Sequence, residues 1–266
     1  MAAQNFLHLW DSSFLYVTPA IESDLTARSS VTLLASVSGH PFRLEAADGT
    51  RALCTAAVVA AGAQRRLYVD GCGLLSLNFD PGSGAYRTLS QWIGDRGIVP
   101  VDAQCFGRLR DSFEAAQCGA LAEHHLQSLG MRMVEAITER PGRCELSGGL
   151  DPRIDSVMRV ARSHAGPLLL QDLSEVACLS PDRLTHLFRE QAGVSIKNYL
   201  LWAKVRRSVQ QFASGRPLAD IALDGGFASA AHMSRTFQCS FGLPPSFLSR
   251  QVRVTADDQA ERVWGL

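Results

Sequence analysis

The sequence predicts an α+β chain of two domains: an antiparallel β-barrel with helices after it, then an all-helical domain of two helix-turn-helix units joined by a long helix. Three observations predict this. Short β-rich runs fill the chain from residue 12 to about residue 80, the apolar period then lengthens to that of helices, and two stretches built on one plan recur about 48 residues apart near the C-terminus.

The strand runs are SFLYVTP, VTLLASV, FRLEA, TAAVVAAG, RRLYVDG and LLSLNFD, punctuated at Gly39-His40-Pro41, Asp48-Gly49, Ala61-Gly62 and Asp70-Gly71. Strands this short and this evenly spaced suit a small barrel or jelly roll. Asp80-Pro81-Gly82-Ser83-Gly84 closes the strand region. Cys105, Leu109 and Phe113 then recur at four-residue steps, with Leu121, Leu126 and Leu129 beyond, so helices are expected between Asp102 and Met131. The stretch RPGRCELSGGLDP mixes Pro and Gly with polar residues and reads as a linker. The expected division is a domain at 1–139, a linker at 140–152, a helical domain at 153–253 and a tail at 254–266.

Composition bounds the class. At 266 residues, 46% hydrophobic and 20% charged, the chain can bury a sizeable core, which excludes disordered and fibrous classes. Its longest apolar stretch, residues 52–63, is far shorter than a bilayer requires, and no basic leader precedes the early residues, so a cytosolic protein is expected. Seven cysteines without a CxxC pair are expected to be free thiols. The net charge of zero hides an asymmetry: residues 1–153 carry 13 basic against 16 acidic side chains, whereas residues 154–253 carry 12 against 7. A positive third on an acidic remainder suits a phosphate-binding module attached to a sensor.

In the repeat, Leu173-Ser174 aligns with Ile221-Ala222, and Leu184-Thr185-His186-Leu187-Phe188 with Met233-Ser234-Arg235-Thr236-Phe237. Each unit is laid out as a short helix, a sharp turn and a second helix whose apolar stripe faces inward: Leu184, Leu187 and Phe188, then Met233, Phe237 and Phe241. The opposite faces carry Arg183, Thr185, His186 and Arg189, then Ala231, Ser234, Arg235 and Gln238, a polar surface that suits a major groove. Between the units, Leu201, Val205, Val209 and Phe212 fall at helical intervals. That helix would span about 30 Å, close to one turn of B-DNA. Lys197 and Lys204, the only lysines, lie on it with Arg206 and Arg207, either as a solvated face or as phosphate anchors.

The stretches LSEVACLSPDRLTHLFREQAGVSIKNYL and DIALDGGFASAAHMSRTFQCSFGLPPSF identify the segment 154–250 as resembling the AraC/XylS family of bacterial transcription regulators. The resemblance implies a seven-helix DNA-binding domain whose third and sixth helices enter adjacent major grooves of double-stranded DNA. It implies base-edge positions at Asp182, Arg183, Thr185 and His186 in the first head, and at Ala230, Ala231, Ser234 and Arg235 in the second. Arg189, Lys197, Lys204, Arg206 and Gln238 are the expected phosphate contacts. Arg235 stands out, because arginine grips guanine bidentately. It also implies RNA polymerase as a partner, a homodimer formed through the helices after the barrel, and no cofactor. Three residues depart from the family pattern: His186 replaces an arginine, Cys178 a turn glycine, and Leu169 a capping Ser or Thr.

The N-terminal half resembles the cupin-like sensor domain of that family, at the level of fold. A small-molecule effector is expected inside the barrel, against Phe14, Tyr16 and Leu33, with Arg43, Arg65 or Arg66 meeting an anionic group. His8 and His40 stand alone, and adjacent His124 and His125 point apart on a helix, so no metal site is expected. Two other readings stay open: a cupin-type metalloenzyme with a helical appendage, and a redox-sensing regulator using Cys54, Cys72 or Cys144.

Overall fold

A computed structural model describes residues 4–139, 149–164, 166 and 168–256. The expected linker therefore lies mostly outside the described residues, as do Cys144 and the tail beyond residue 256. The strands are β1 (Asn5–Trp10), β2 (Ser13–Thr18), β3 (Ile21–Glu22), β4 (Val31–Ser36), β5 (Phe42–Ala46), β6 (Arg51–Cys54), β7 (Ala56–Val59), β8 (Arg65–Val69), β9 (Leu74–Phe79), β10 (Ile98–Val101) and β11 (Val252–Ala256). The helices are α1 (Gly84–Ile93), α2 (Arg110–Gln117), α3 (Glu123–Thr138), α4 (Pro152–Ser163), α5 (Leu170–Ala177), α6 (Pro181–Ala192), α7 (Ile196–Gln210), α8 (Leu218–Asp224), α9 (Ala230–Phe241) and α10 (Pro245–Gln251), with 3-10 turns at Ala103–Leu109 and Phe212–Ser214.

The strands form two sheets rather than a closed barrel: a seven-stranded sheet, β10-β7-β4-β9-β2-β1-β11, and a four-stranded one, β3-β8-β5-β6. What extends the large sheet is a strand from the far end of the chain. β11 follows the helical domain and lies parallel to β1, with Asn5 opposite Val252 and Leu9 opposite Ala256.

Every side chain of β2 after Ser13 is buried, because both faces of the large sheet are covered. One face carries Leu15, Val17, Leu33, Leu77 and Phe79 against Leu89, Phe106, Phe113, Leu126 and Met133 of the helices that follow the strands. The apolar stripe expected to join two copies of the chain is thus spent on its own sheet. The other face is shared. Leu34, Val59 and Leu74 pack on Phe42, Leu44 and Leu67 of the small sheet, and Leu7, Leu9, Phe14 and Tyr16 pack on Trp202, Val209, Phe237 and Phe241 of the helical domain. At about 1.5–3 kcal/mol for each large apolar side chain removed from water, this junction is a genuine core.

The seven helices α4–α10 build the expected domain. Ser180, Ser195 and Ser229 cap α6, α7 and α9 by accepting from the N–H three residues on, and Gly193 (φ +75°) and Gly242 (φ +69°) end α6 and α9. Gly242 is required twice over, since a Cβ there would lie 2.9 Å from Ser23 Cβ and 3.0 Å from the Asp24 nitrogen. Cys178 does adopt the left-handed conformation (φ 50°) that favours glycine. Leu169 cannot cap α5 with its side chain, yet its own N–H donates to Asp172 Oδ2 at 2.9 Å, which supplies half of a capping box. On α7 the expected stripe needs correction. Leu201 is exposed, and the buried face runs through Tyr199, Trp202, Val205 and Val209.

Candidate nucleic-acid interface and domain junction

The two helix-turn-helix units are α5–α6 and α8–α9, each closed by an inward stripe: Leu184, Leu187 and Phe188 are buried on α6, and Met233, Phe237 and Phe241 on α9. That leaves Asp182, Arg183, Thr185, His186 and Arg189 exposed on α6, and Ala231, Ser234 and Arg235 exposed on α9, with Ala230 half-buried. Lys197 is exposed on α7 and Lys204 half-exposed. Thr185 of the first head and His232 of the second wall one groove of about 520 Å³ floored by α7. Arg189 and Arg235 wall a second cleft, of about 600 Å³, whose far side is formed by Ala27, Arg28, Ser29, Ala61 and Gly62 of the sheet domain. Both heads therefore turn toward the same side of α7. Among the described residues no carboxylate lines either opening.

Two expected phosphate contacts point elsewhere. Arg206 is buried: its Nη1 donates to Asp80 Oδ2 at 2.6 Å, and its Nη2 donates to the carbonyl of Trp10, both in the sheet domain. Burial pushes the Asp80 carboxyl above the ordinary range, against the pull of Arg206 beside it. Gln238 Nε2 donates to Asp24 Oδ2 at 2.5 Å and to the Gly242 carbonyl. Periodicity placed both residues on helices, but partners 126 to 214 residues away in sequence have no local signature.

The expected effector residues are dispersed. Phe14 and Tyr16 face the helical domain, whereas Leu33 faces the opposite side of the sheet. Exposed Arg43 stacks over Tyr68, 4.0 Å from the ring centroid, and exposed Arg66 lies 3.7 Å from Glu45. Arg65 is buried with a single 3.4 Å contact to Thr32 Oγ1, and burial pulls its pKa to about 10.

The residue that sequence reasoning missed is Arg28. Its Nε donates to the Ser240 carbonyl of α9 at 3.0 Å and its Nη1 to Asn78 Oδ1 at 2.7 Å, and its guanidinium lies 5.3 Å from the Phe241 ring centroid. Among the described residues no carboxylate pairs with it. Burial first, then the charge of Arg65, holds its pKa well below the ordinary value. Arg28 lines an apolar cavity at the domain junction, of about 30 Å³, together with Leu7, Phe14, Tyr16, Trp202, Phe241 and the Asp80-paired Arg206. That is room for a water or two. TARSS around Arg28 has no periodicity, and nothing in it marks a charge set into the domain junction.

Among the described residues no helix is long and apolar enough to cross a membrane. Among them, too, no three His, Cys, Asp or Glu side chains gather as they would around a metal ion.

Comparison with known proteins bears on these arrangements. Residues 173–251 match a family model described as a helix-turn-helix domain. The arabinose operon regulatory protein of Escherichia coli is 32% identical over 161 residues, 57% of this chain and 52% of that one. The XylDLEGF operon transcriptional activator of Pseudomonas putida is 28% identical over 136 residues, 49% of this chain and 42% of that one. The chain thus spans about half the length of the curated relatives it matches. Two solved structures share its fold across both domains at 10% identity. One is a single-substitution apo form of ToxT from Vibrio cholerae, covering 92% of this chain and 99% of that one with a TM-score of 0.61. The other is wild-type ToxT with an unsaturated fatty acid bound, covering 91% and 98% with a TM-score of 0.56. Two heads on one long helix, the matching family model and relatives of this kind agree: residues 173–251 form a helix-turn-helix domain, and the C-terminal half of the chain is similar to transcription regulators of the AraC/XylS kind.

Proposed function

We propose that the chain is a sequence-specific DNA-binding transcriptional regulator whose readers are α6 and α9. The observation that carries this is the shared orientation of the heads, with Thr185 and His232 across a single groove. Two helices held so by α7 can enter successive major grooves on one face of a duplex. In this reading Arg235 grips a guanine edge, and Arg183, Thr185, His186 and Ser234 supply further donors and acceptors. Asp182 accepts from cytosine, Ala230 and Ala231 touch thymine methyls, and Arg189, Lys197 and Lys204 hold phosphates. RNA polymerase is the partner, a homodimer the working form and the cytoplasm the compartment. The test is a mobility shift on the DNA upstream of the gene, with a salt titration. The reading expects a complex that resists competitor and weakens steeply with salt; no specific complex would overturn it.

The effector we assign to the junction cavity is an amphiphilic carboxylate, as in the fatty-acid complex of ToxT. Arg28 is a half-buried cation on the lining of an apolar cavity, without an acidic partner among the described residues, and a largely desolvated charge of that kind favours an anion beside it. Since the cavity holds only about 30 Å³, a longer ligand enters by parting α7 and α9 from the sheet. Titration with oleate, followed by tryptophan fluorescence, should give saturable binding that Arg28→Gln loses. Equal binding in that variant would remove the assignment.

A further inference from the structure

The groove floored by α7 is unlike an ordinary solvated helix face. Lys197, Leu201 and Lys204 follow one another along it at steps of four and three residues, with Asn198 adjoining, so they form one stripe. Leu201 is among the exposed large apolar side chains of the protein, at 36% of its free surface. Among the described residues the Asn198 side-chain amide has no hydrogen-bond partner, while its backbone N–H donates to Ser195 Oγ at 3.2 Å. No acidic residue lines the groove, and Thr185 and His232 of the two heads stand on either side.

Between two successive major grooves on one face of a duplex lies one minor groove, and with α6 and α9 in the major grooves α7 lies opposite it. The two lysines are seven residues apart, about 10 Å along the axis. That separation is of the order of a minor groove about 6 Å wide with its flanking strands, so each ammonium can meet one phosphate strand. Leu201 and Asn198 lie between them, over the groove floor. There A·T pairs present only acceptors, which suit an amide donor, whereas G·C pairs add the guanine 2-amino group, which obstructs an apolar side chain and offers a donor to a donor.

We propose that the Lys197–Asn198–Leu201–Lys204 face of α7 is a third reading element, which engages the minor groove between the two half-sites and selects A·T over G·C pairs there. This rests on the DNA-binding reading above and adds a specificity that neither head supplies.

The experiment separates the two claims. Full-length protein first selects its site from a random duplex library; failure to enrich any sequence would overturn both readings. In the best site the central spacer pairs are then made A·T, G·C or inosine·C, the last presenting the G·C major-groove edge without the 2-amino group. The expected order is A·T and inosine·C alike, both about tenfold tighter than G·C, the size of an ordinary single-site preference. Leu201→Ala and Asn198→Ala should bring the ratio within about twofold while leaving circular dichroism unchanged, because neither side chain is buried. Lys197→Gln with Lys204→Gln should weaken all three duplexes together and lower the salt slope. Equal binding of A·T and G·C spacers would overturn the proposal. So would inosine·C behaving as G·C does, or an unchanged ratio in both α7 variants, with the DNA-binding reading left intact.

Discussion

Replacement of Arg206 by methionine separates two roles that the residue type alone leaves equivalent. Sequence pattern set Arg206 among the phosphate contacts, but the structure directs it into the domain junction, 2.6 Å from Asp80 and bonded to the Trp10 carbonyl. Both side chains are less than a tenth exposed. Removing one partner of such a pair leaves the other buried and uncompensated, at a cost of about 3–5 kcal/mol. Asp80 must then take up a proton or draw in water, since its Oδ1 already has no hydrogen-bond partner. Against a total stability of about 5–15 kcal/mol this is a large fraction, and at roughly 2–4 °C per kcal/mol the melting midpoint should fall by about 10 °C. Asp80→Asn should also destabilise, and the double variant Asp80→Asn/Arg206→Met should lose less than the sum, because the two effects share one contact. The assay pairs thermal unfolding with the salt dependence of DNA binding. A phosphate ligand would lower the salt slope by about one and leave the midpoint unchanged, and that result would refute the junction role.

Three further outcomes follow from individual side chains. Arg235→Ala should cost about 1–3 kcal/mol of discrimination at one base pair while non-specific binding persists, measured by competition between cognate and scrambled duplexes. Cys178→Gly should stabilise the chain by about 1–2 kcal/mol, because a left-handed residue at φ 50° costs a Cβ that much; an unchanged denaturation midpoint would show that the turn relaxes. His8 shares a 2.6 Å hydrogen bond with Thr255 across the β1–β11 pair, and burial, aided by Arg253, lowers its pKa from the ordinary 6.5 to about 4. A folded-state pKa below the unfolded one means that this stabilisation is complete above about pH 6.5 and fades as the pH falls toward 4, by up to about 3 kcal/mol. His8→Gln should flatten that part of the stability profile relative to the parent, and an identical profile would exclude His8 as its source.

The sequence revealed what depends on local chemistry. VTLLASV, RRLYVDG and LLSLNFD became β4, β8 and β9 because short apolar runs bounded by turn residues have few alternatives. Ser180 and Ser229 mark the starts of α6 and α9, and Gly193 and Gly242 their ends, for the same reason. β1 went unrecognised, since NFLHLW lacks turn signals before it, and β11 was read as the end of a domain because its only pairing partner is at the other terminus. The expected barrel is two packed sheets, and the same long-range pairing extends the edge of the larger one. On α7 the helix was legible and its buried face was not. The spacing of Leu201 and Val205 fits a stripe, but Trp202, one residue on, is the side chain that fills the junction against Phe14 and Phe241. The candidate site divides in the same way. The outward side chains of both heads follow from helical spacing alone, whereas Arg28, Arg206 and Gln238 take their roles from residues in the other domain.

Those cross-domain contacts are distributed unequally over the two heads, and the inequality bears on how an effector could act. The second head is fastened at several places, the Gln238–Asp24 hydrogen bond among them. Arg28 reaches the Ser240 carbonyl, the Ala27 N–H donates to the Cys239 carbonyl at 3.1 Å, and the strand that follows α10 joins the edge of the large sheet. The first head meets the sheet domain where α6 ends, with Gly193 against Tyr86, and α4 adjoins it where Met158 meets Gly82. A ligand entering the cavity beside Arg28 would push on α7 and the end of α9, the elements that carry the second head, while the first head keeps its separate seat. Because both heads must meet the duplex in register, a small rotation of one alone changes affinity for a two-part site far more than for either half. Coupling of this kind requires only that the ligand interact differently with the docked and the parted arrangement of the second head. The charge of Arg28, met by the Ser240 carbonyl of α9 and by Asn78 Oδ1 but by no carboxylate among the described residues, supplies that difference.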